Sequence, residues 1–255
     1  MKRLLILIYG LVAYFTFFVT LLYMIAFVGN FWVPKSIDTG IADSSIKAIL
    51  INLFLVFLFA IQHTIMARPS FKKWWSKYVP VEIERSTYVL FSSLLLILLF
   101  WQWQPLTTTV WEVKSTIVKV VIYALFALGW VLVFLSSFLI NHFDLFGLRQ
   151  VVLCWKGKDY TPVEFKESFL YKIVRHPFML GFLIAFWATP LMTTGHLLFA
   201  IAMTLYTFIG IWFEEKTLMA ELGDDYIKYK EKTPMLFPLP NNQKSKCPIK
   251  NLFNF

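Results

Sequence analysis

Cysteine is nearly absent from this chain. Its 255 residues hold two, Cys154 and Cys247, which excludes a disulfide framework, and neither has metal-ligand spacing. Charge is scarce as well: Asp, Glu, Lys and Arg make up 15% of the sequence, against about a quarter in soluble domains. An ordinary water-soluble domain is thereby excluded. Acids are the scarcer sign, 15 against 24 bases, leaving a formal charge of +9. Internal repeats and low-complexity linkers are missing too, so the chain is neither a solenoid nor domains strung on a flexible tether.

What fills the sequence is apolar: 58% of residues are hydrophobic and 19% aromatic. They come in blocks, at 4–28, 48–66, 88–103, 116–140, 178–194 and 197–213. Each block is near the roughly 20 residues that cross a hydrocarbon core about 30 Å thick, though the third, fifth and sixth are short. Backbone groups in lipid must pair within their own segment, so the blocks read as helices. The fold class expected is therefore an all-α integral membrane protein with about six transmembrane helices, the last two forming a hairpin. Met1-Lys2-Arg3 before a long apolar run has the look of a signal peptide. The run is too long, however, and no small-residue cleavage site follows it, so an uncleaved first helix is the expectation.

Basic residues fix the expected orientation. With six crossings, most of the 24 lysines and arginines fall on one side: before the first block, between the second and third, between the fourth and fifth, and in the tail after Glu214. That side should be the cytoplasm, with both termini inside and the inner membrane as host. The surplus of positive charge is then accounted for by topology and anionic headgroups, and no nucleic-acid partner is called for. A disulfide between the two cysteines, both on the cytoplasmic side, is not expected.

Two charged clusters bracket the predicted hairpin, Arg175-His176-Pro177 at its start and Glu214-Glu215 at its end. Antiparallel helices of this length bring both to one membrane depth. Ionisable groups converging there are a functional-site hypothesis. Pro177 suits a helix's first turn, placing Arg175 and His176 beside free backbone N–H groups that favour an anion. Gly181 permits close approach of a ligand or a helix. The competing reading is structural: Arg175 or Lys172 in a salt bridge to the glutamates, with Gly181 as a packing residue. Glu215–Leu222 is expected to continue the last helix until Gly223, and Pro234, Pro238 and Pro240 to end regular structure.

An Arg-His-Pro opening with Gly181 following, a Glu-Glu pair one hairpin later, and Leu222-Gly223-Asp224-Asp225-Tyr226-Ile227-Lys228-Tyr229 running to Thr233-Pro234 together resemble the isoprenylcysteine carboxyl methyltransferase superfamily. Met179 stands where that pattern has Tyr, and Leu222 and Thr233 replace Phe and Val. Upstream, Gln62-His63-Thr64-Ile65-Met66-Ala67, Glu84-Arg85-Ser86-Thr87-Tyr88-Val89 and Asn141-His142-Phe143-Asp144-Leu145-Phe146-Gly147-Leu148-Arg149-Gln150 look like its nurim-related branch. The runs 181–190 and 194–200 are similar to the methanethiol S-methyltransferase family within that branch.

The resemblance implies an enzyme in which S-adenosylmethionine donates a methyl group to methanethiol, giving dimethyl sulfide, with no metal. It implies a cofactor site of Arg175, His176, Pro177, Met179, Gly181, Glu214, Glu215, Tyr226 and Tyr229, and an acceptor region of Gln62, Arg149 and Gln150. It also implies a division into a four-helix part (1–140), a methyl-donor part of loop, hairpin and tail (141–240) and a basic tail (241–255). From the residues themselves, Gln62 and His63 near the end of the second helix and His142 and Asp144 just past the fourth share one side and can converge near the hairpin's mouth. His142 or His63 is the candidate to take the thiol proton, since an imidazole is poised near neutral pH; Asp144 is its candidate partner. Each His has the alternative of a hydrogen-bonding anchor, and His196 reads as an external interfacial residue. Two other readings stay open: a membrane methyltransferase for another acceptor, such as a prenylcysteine carboxylate or other thiol, and a non-catalytic nurim-like protein.

Overall fold

The computed structural model describes residues 1–40, 46–163 and 167–238. Pro240, Cys247 and the basic tail 241–255 lie outside the described residues. In chain order the helices are α1 (Lys2–Gly29), α2 (Ile46–Met66), α3 (Pro69–Trp75), α4 (Val81–Gln102), α5 (Thr116–Ile140), α6 (His142–Leu145), α7 (Leu148–Trp155), α8 (Leu170–Ile173), α9 (Pro177–Trp187), α10 (Thr194–Leu222) and α11 (Asp224–Lys232). Five of them, α1, α2, α4, α5 and α10, are long and apolar enough to cross a membrane. The chain is a multi-pass, predominantly helical membrane protein.

The fifth apolar block departs from expectation. Helix α9 stops at Trp187 after 11 residues, a rise of about 16 Å and too short to span. The sequence explains it: Thr189 precedes Pro190, and a residue before proline is pushed out of the helical region. The chain continues extended into β2 (Leu191–Thr193), which pairs antiparallel with β1 (Thr109–Glu112), Trp111 opposite Met192 and Glu112 opposite Leu191. Non-helical backbone at this depth must be satisfied by protein. It is: the Val113 N–H donates to the Pro190 carbonyl at 2.8 Å, and the Trp111 indole donates to the Thr189 carbonyl at 3.3 Å.

This ribbon ties the α4–α5 and α9–α10 connections together at one end of the bundle. Asp38, between α1 and α2, joins them there through a 2.5 Å bond from Thr193. At the other end lie the N-terminal turn of α4, α6 to α8, and the end of α10 with α11. His196, expected at an external interface, is fully buried beneath the ribbon instead. Its Nε2–H donates to the Phe186 carbonyl at 2.9 Å.

One aromatic-rich core runs through the bundle, with Phe27, Phe100, Trp103, Trp130, Phe186 and Phe199 drawn from α1, α4, α5, α9 and α10. Helices α5 and α9 approach backbone to backbone. A Cβ on Gly181 would stand 2.6 Å from the Gly129 carbonyl, and one on Gly129 would stand 2.7 Å from the Gly181 carbonyl. Small residues let membrane helices pack backbone to backbone, and here the two glycines do so reciprocally.

Candidate active site at the basic end of the bundle

The mouth of the α9–α10 hairpin holds a dense ionic cluster. Arg175 donates from Nε to Glu215 at 2.8 Å, and its Nη2 lies 2.7 Å from the same oxygen. Its Nη1 donates to the carbonyls of Lys230 and Thr233 at 3.0 and 2.5 Å. His176 Nε2 meets Glu215 at 3.1 Å, and Lys230 Nζ takes the other carboxylate oxygen at 2.7 Å. Backbone bonds from Arg175 and His176 to Pro234 and Met235 complete the joint. Arg175, His176 and Glu215 are buried, while the Glu214 side chain is 46% exposed and faces His176 Nδ1 at 3.7 Å. The salt bridge raised as the structural alternative is thus present, but it engages Glu215 and, among the described residues, leaves Glu214 without a closer ion pair.

The remaining residues of the hairpin motif surround this clasp. Pro177 starts α9 and is buried; Met179 packs with Leu183, Ile211 and Leu236; Gly181 faces α5. Tyr226 is buried, and burial beside Glu215 raises its pKa. Tyr229 donates to the Tyr171 carbonyl at 2.6 Å, and burial, with Glu167 next, pushes it up to about 12.

His142 caps a separate network. It is buried, its ring stacked on Phe138 at 4.3 Å. Ser137 gives its hydroxyl hydrogen to the Phe134 carbonyl at 2.7 Å, so its oxygen accepts from His142 Nδ1–H at 2.8 Å. Nε2 is then the bare nitrogen and accepts the Tyr14 hydroxyl at 2.8 Å. Burial lowers the pKa of His142, keeping it neutral at pH 7. His63 repeats this pattern. Ser92 donates to the Tyr88 carbonyl and toward Gln62 Oε1, His63 Nδ1 lies 3.2 Å from Ser92 Oγ, and Nε2 accepts the Tyr88 hydroxyl at 2.6 Å. The stacked Phe17–Phe146 pair, centroids 3.9 Å apart, lies between the networks, packing on Tyr88 and edge-on to His142.

Asp144 does not pair with His142. It holds Arg149 at 2.8 Å and accepts the Tyr160 hydroxyl at 3.3 Å. With Gln150, Arg85, Glu84 and Lys72 it lines a polar cavity of about 640 Å³. The candidates therefore fall into four groups at one end of the bundle: the clasp, the His142 network, the His63–Gln62 network, and the polar cavity of Asp144 and Gln150.

A family profile described as NnrU protein matches residues 49–236. The chain belongs to the NnrU family. It is 51% identical over 94% of its length to the methanethiol S-methyltransferase of Mycobacterium tuberculosis, covering 99% of that protein. It is 55% identical over 90% of its length to methanethiol S-methyltransferase 1 of Bradyrhizobium diazoefficiens, covering 81%. Nurim from Mus musculus is a more distant relative, 30% identical over 70% of this chain and 71% of its own. No solved structure matches.

For this NnrU-family chain, sequence reasoning missed Tyr14, Ser137 and Ser92, and gave Tyr88 no role beyond its place in an upstream motif. A tyrosine in an apolar helix looks like any packing aromatic until its hydroxyl partner is known, and Tyr14 lies 128 positions from His142.

Proposed function

We propose that this chain is an integral-membrane S-adenosylmethionine-dependent methanethiol S-methyltransferase that forms dimethyl sulfide. The observation that carries the reading is identity near 50%, across more than nine-tenths of the chain, to proteins named for that activity. The site's chemistry is compatible with it. S-adenosylmethionine, when bound, supplies an electrophilic methyl group on a sulfonium. Glu214 is the carboxylate suited to its cationic part, with His176 Nδ1 beside it. The Arg175–Glu215–Lys230 clasp positions Glu214 by holding α9, α10 and α11 in register. Residues 141–240 thus carry the methyl-donor side, and residues 1–140 close it from the membrane.

Transfer would form a carbon–sulfur bond to the acceptor as the donor's methyl–sulfonium bond breaks, leaving the donor a neutral thioether, and the acceptor's S–H proton must leave. His142 Nε2 is the receiving atom: it is unprotonated at neutral pH, and the Tyr14 hydroxyl turns aside to admit the proton. A dry surrounding helps, because water stabilises a separated sulfonium and thiolate more than the charge-dispersed transition state between them. The positive-inside bias supports a cytoplasmic basic end, on the side where the soluble donor is.

Cells expressing the chain and fed methanethiol, with headspace dimethyl sulfide measured, test the reading. Wild type should exceed the empty vector, and Glu214→Ala and His142→Ala should fall to it. No dimethyl sulfide from folded, membrane-inserted wild type would refute it.

A further inference from the structure

A cavity of about 20 Å³ lies between α1, α5, α6 and α9, walled by Phe17, Leu21, Val133, Phe146 and Phe182 with His142 at its edge. About 10–15 Å³ suffices for one water, but a buried water also needs two to four polar partners. The polar residues that line this cavity, His142 and Ser137, are already committed. Both nitrogens of His142 are engaged by Tyr14 and Ser137, and the Ser137 hydroxyl hydrogen is spent on the Phe134 carbonyl. A cavity so lined stays dry and takes small apolar guests. Phe134, Ser137 and Phe178 complete its lining; Phe178 is two residues from His176 and in the first turn of the helix whose N-cap faces Glu214. Ser136, one turn beyond Val133 on the same face of α5, is fully buried, and its hydroxyl has no hydrogen-bond partner among the described residues.

We propose that this cavity is the acceptor pocket, holding a thiol of two heavy atoms and excluding longer ones by the Phe17–Phe146 stack and Leu21. The inference rests on the function proposed above and adds the place and the size limit of the acceptor. The pocket holds the sulfur beside the His142 ring, and each added methylene must displace an aromatic wall in a packed core. One methylene in an apolar pocket is worth roughly 10- to 200-fold in discrimination.

The test combines binding with turnover on purified full-length protein. Xenon, which enters dry apolar cavities, should give an exchange-shifted ¹²⁹Xe resonance with wild type. Methanethiol should displace it at concentrations where butanethiol does not. Leu21→Phe should abolish the xenon signal and methanethiol turnover while the variant keeps its affinity for S-adenosylmethionine. Phe17→Ala should raise the ethanethiol-to-methanethiol ratio of kcat/KM at least tenfold. Absence of xenon binding, failure of methanethiol to displace it, or an unchanged thiol preference in Phe17→Ala overturns the pocket. Displacement by methanethiol without any dimethyl sulfide leaves the pocket standing and sinks the enzymatic reading instead.

Discussion

Glu215 presents two carboxylate oxygens and both are occupied, one by Arg175 and His176 and the other by Lys230; Glu214, one residue earlier, points to partly open space. Removing one partner of a buried ion pair strands the other, at a cost of about 3–5 kcal/mol. Glu215→Gln should therefore lower the melting temperature of the detergent-purified protein sharply. Glu214→Gln should melt like wild type and lose at least tenfold in S-adenosylmethionine affinity by calorimetry. Equal melts for the two would refute the division of roles. The lowered pKa of His142 gives a second expectation. A histidine whose folded pKa lies below its unfolded value of about 6.5 contributes stability in full above that value, and loses it as pH falls through the folded pKa. The acid limb of kcat/KM should lie below 6.5, and an acid limb at or above it would remove His142 as the base. The paired charges at 175–176 and 214–215 were legible in the sequence because their types and positions stand out from an apolar background. Which glutamate is clasped was not, since both share one helix turn and the choice depends on Lys230 and the carbonyls of the tail.

Helices α5 and α9 meet through Gly129 and Gly181, each with no room for a methyl group: the nearest atoms to an added Cβ are the facing backbone. Backbone cannot swing away as a side chain can, so overpacking here should cost about 1–3 kcal/mol. Gly181→Ala and Gly129→Ala should each lower the melt, and the double variant should lose less than the sum, because one helix displacement relieves both. Strict additivity would count against a shared contact. Five of the helices were readable as apolar blocks, and Gly223 ends α10 as expected. The ribbon was not read, although its signals were present. Thr189-Pro190 breaks α9, and Thr107-Thr108-Thr109-Val110-Trp111 is rich in the β-branched and aromatic residues that favour strands. Pairing between segments some 80 residues apart, Thr109 with Thr193, leaves no local trace.

Across the whole molecule, the ribbon gathers one set of connections and the clasp the other, so the bundle has a ribbon end and a basic end. In a background lacking Cys154 and Cys247, a cysteine replacing Lys114 should react with a membrane-impermeant maleimide on intact cells. One replacing Lys158 should react only after permeabilisation. The opposite pattern would invert the proposed orientation. The sequence carries an expectation of sidedness because charge is so sparse that its distribution holds most of the information. The joint between 175–176 and 230–235 has a consequence in time. Chains emerge and fold from the N-terminus, and Arg175 relies on carbonyls at Lys230, Thr233 and Pro234 while His176 bonds to Met235. Every apolar crossing is synthesised before those partners exist. The protein is therefore threaded first and latched afterwards, and a nascent chain halted at Gly223 would own all its crossings but no lock.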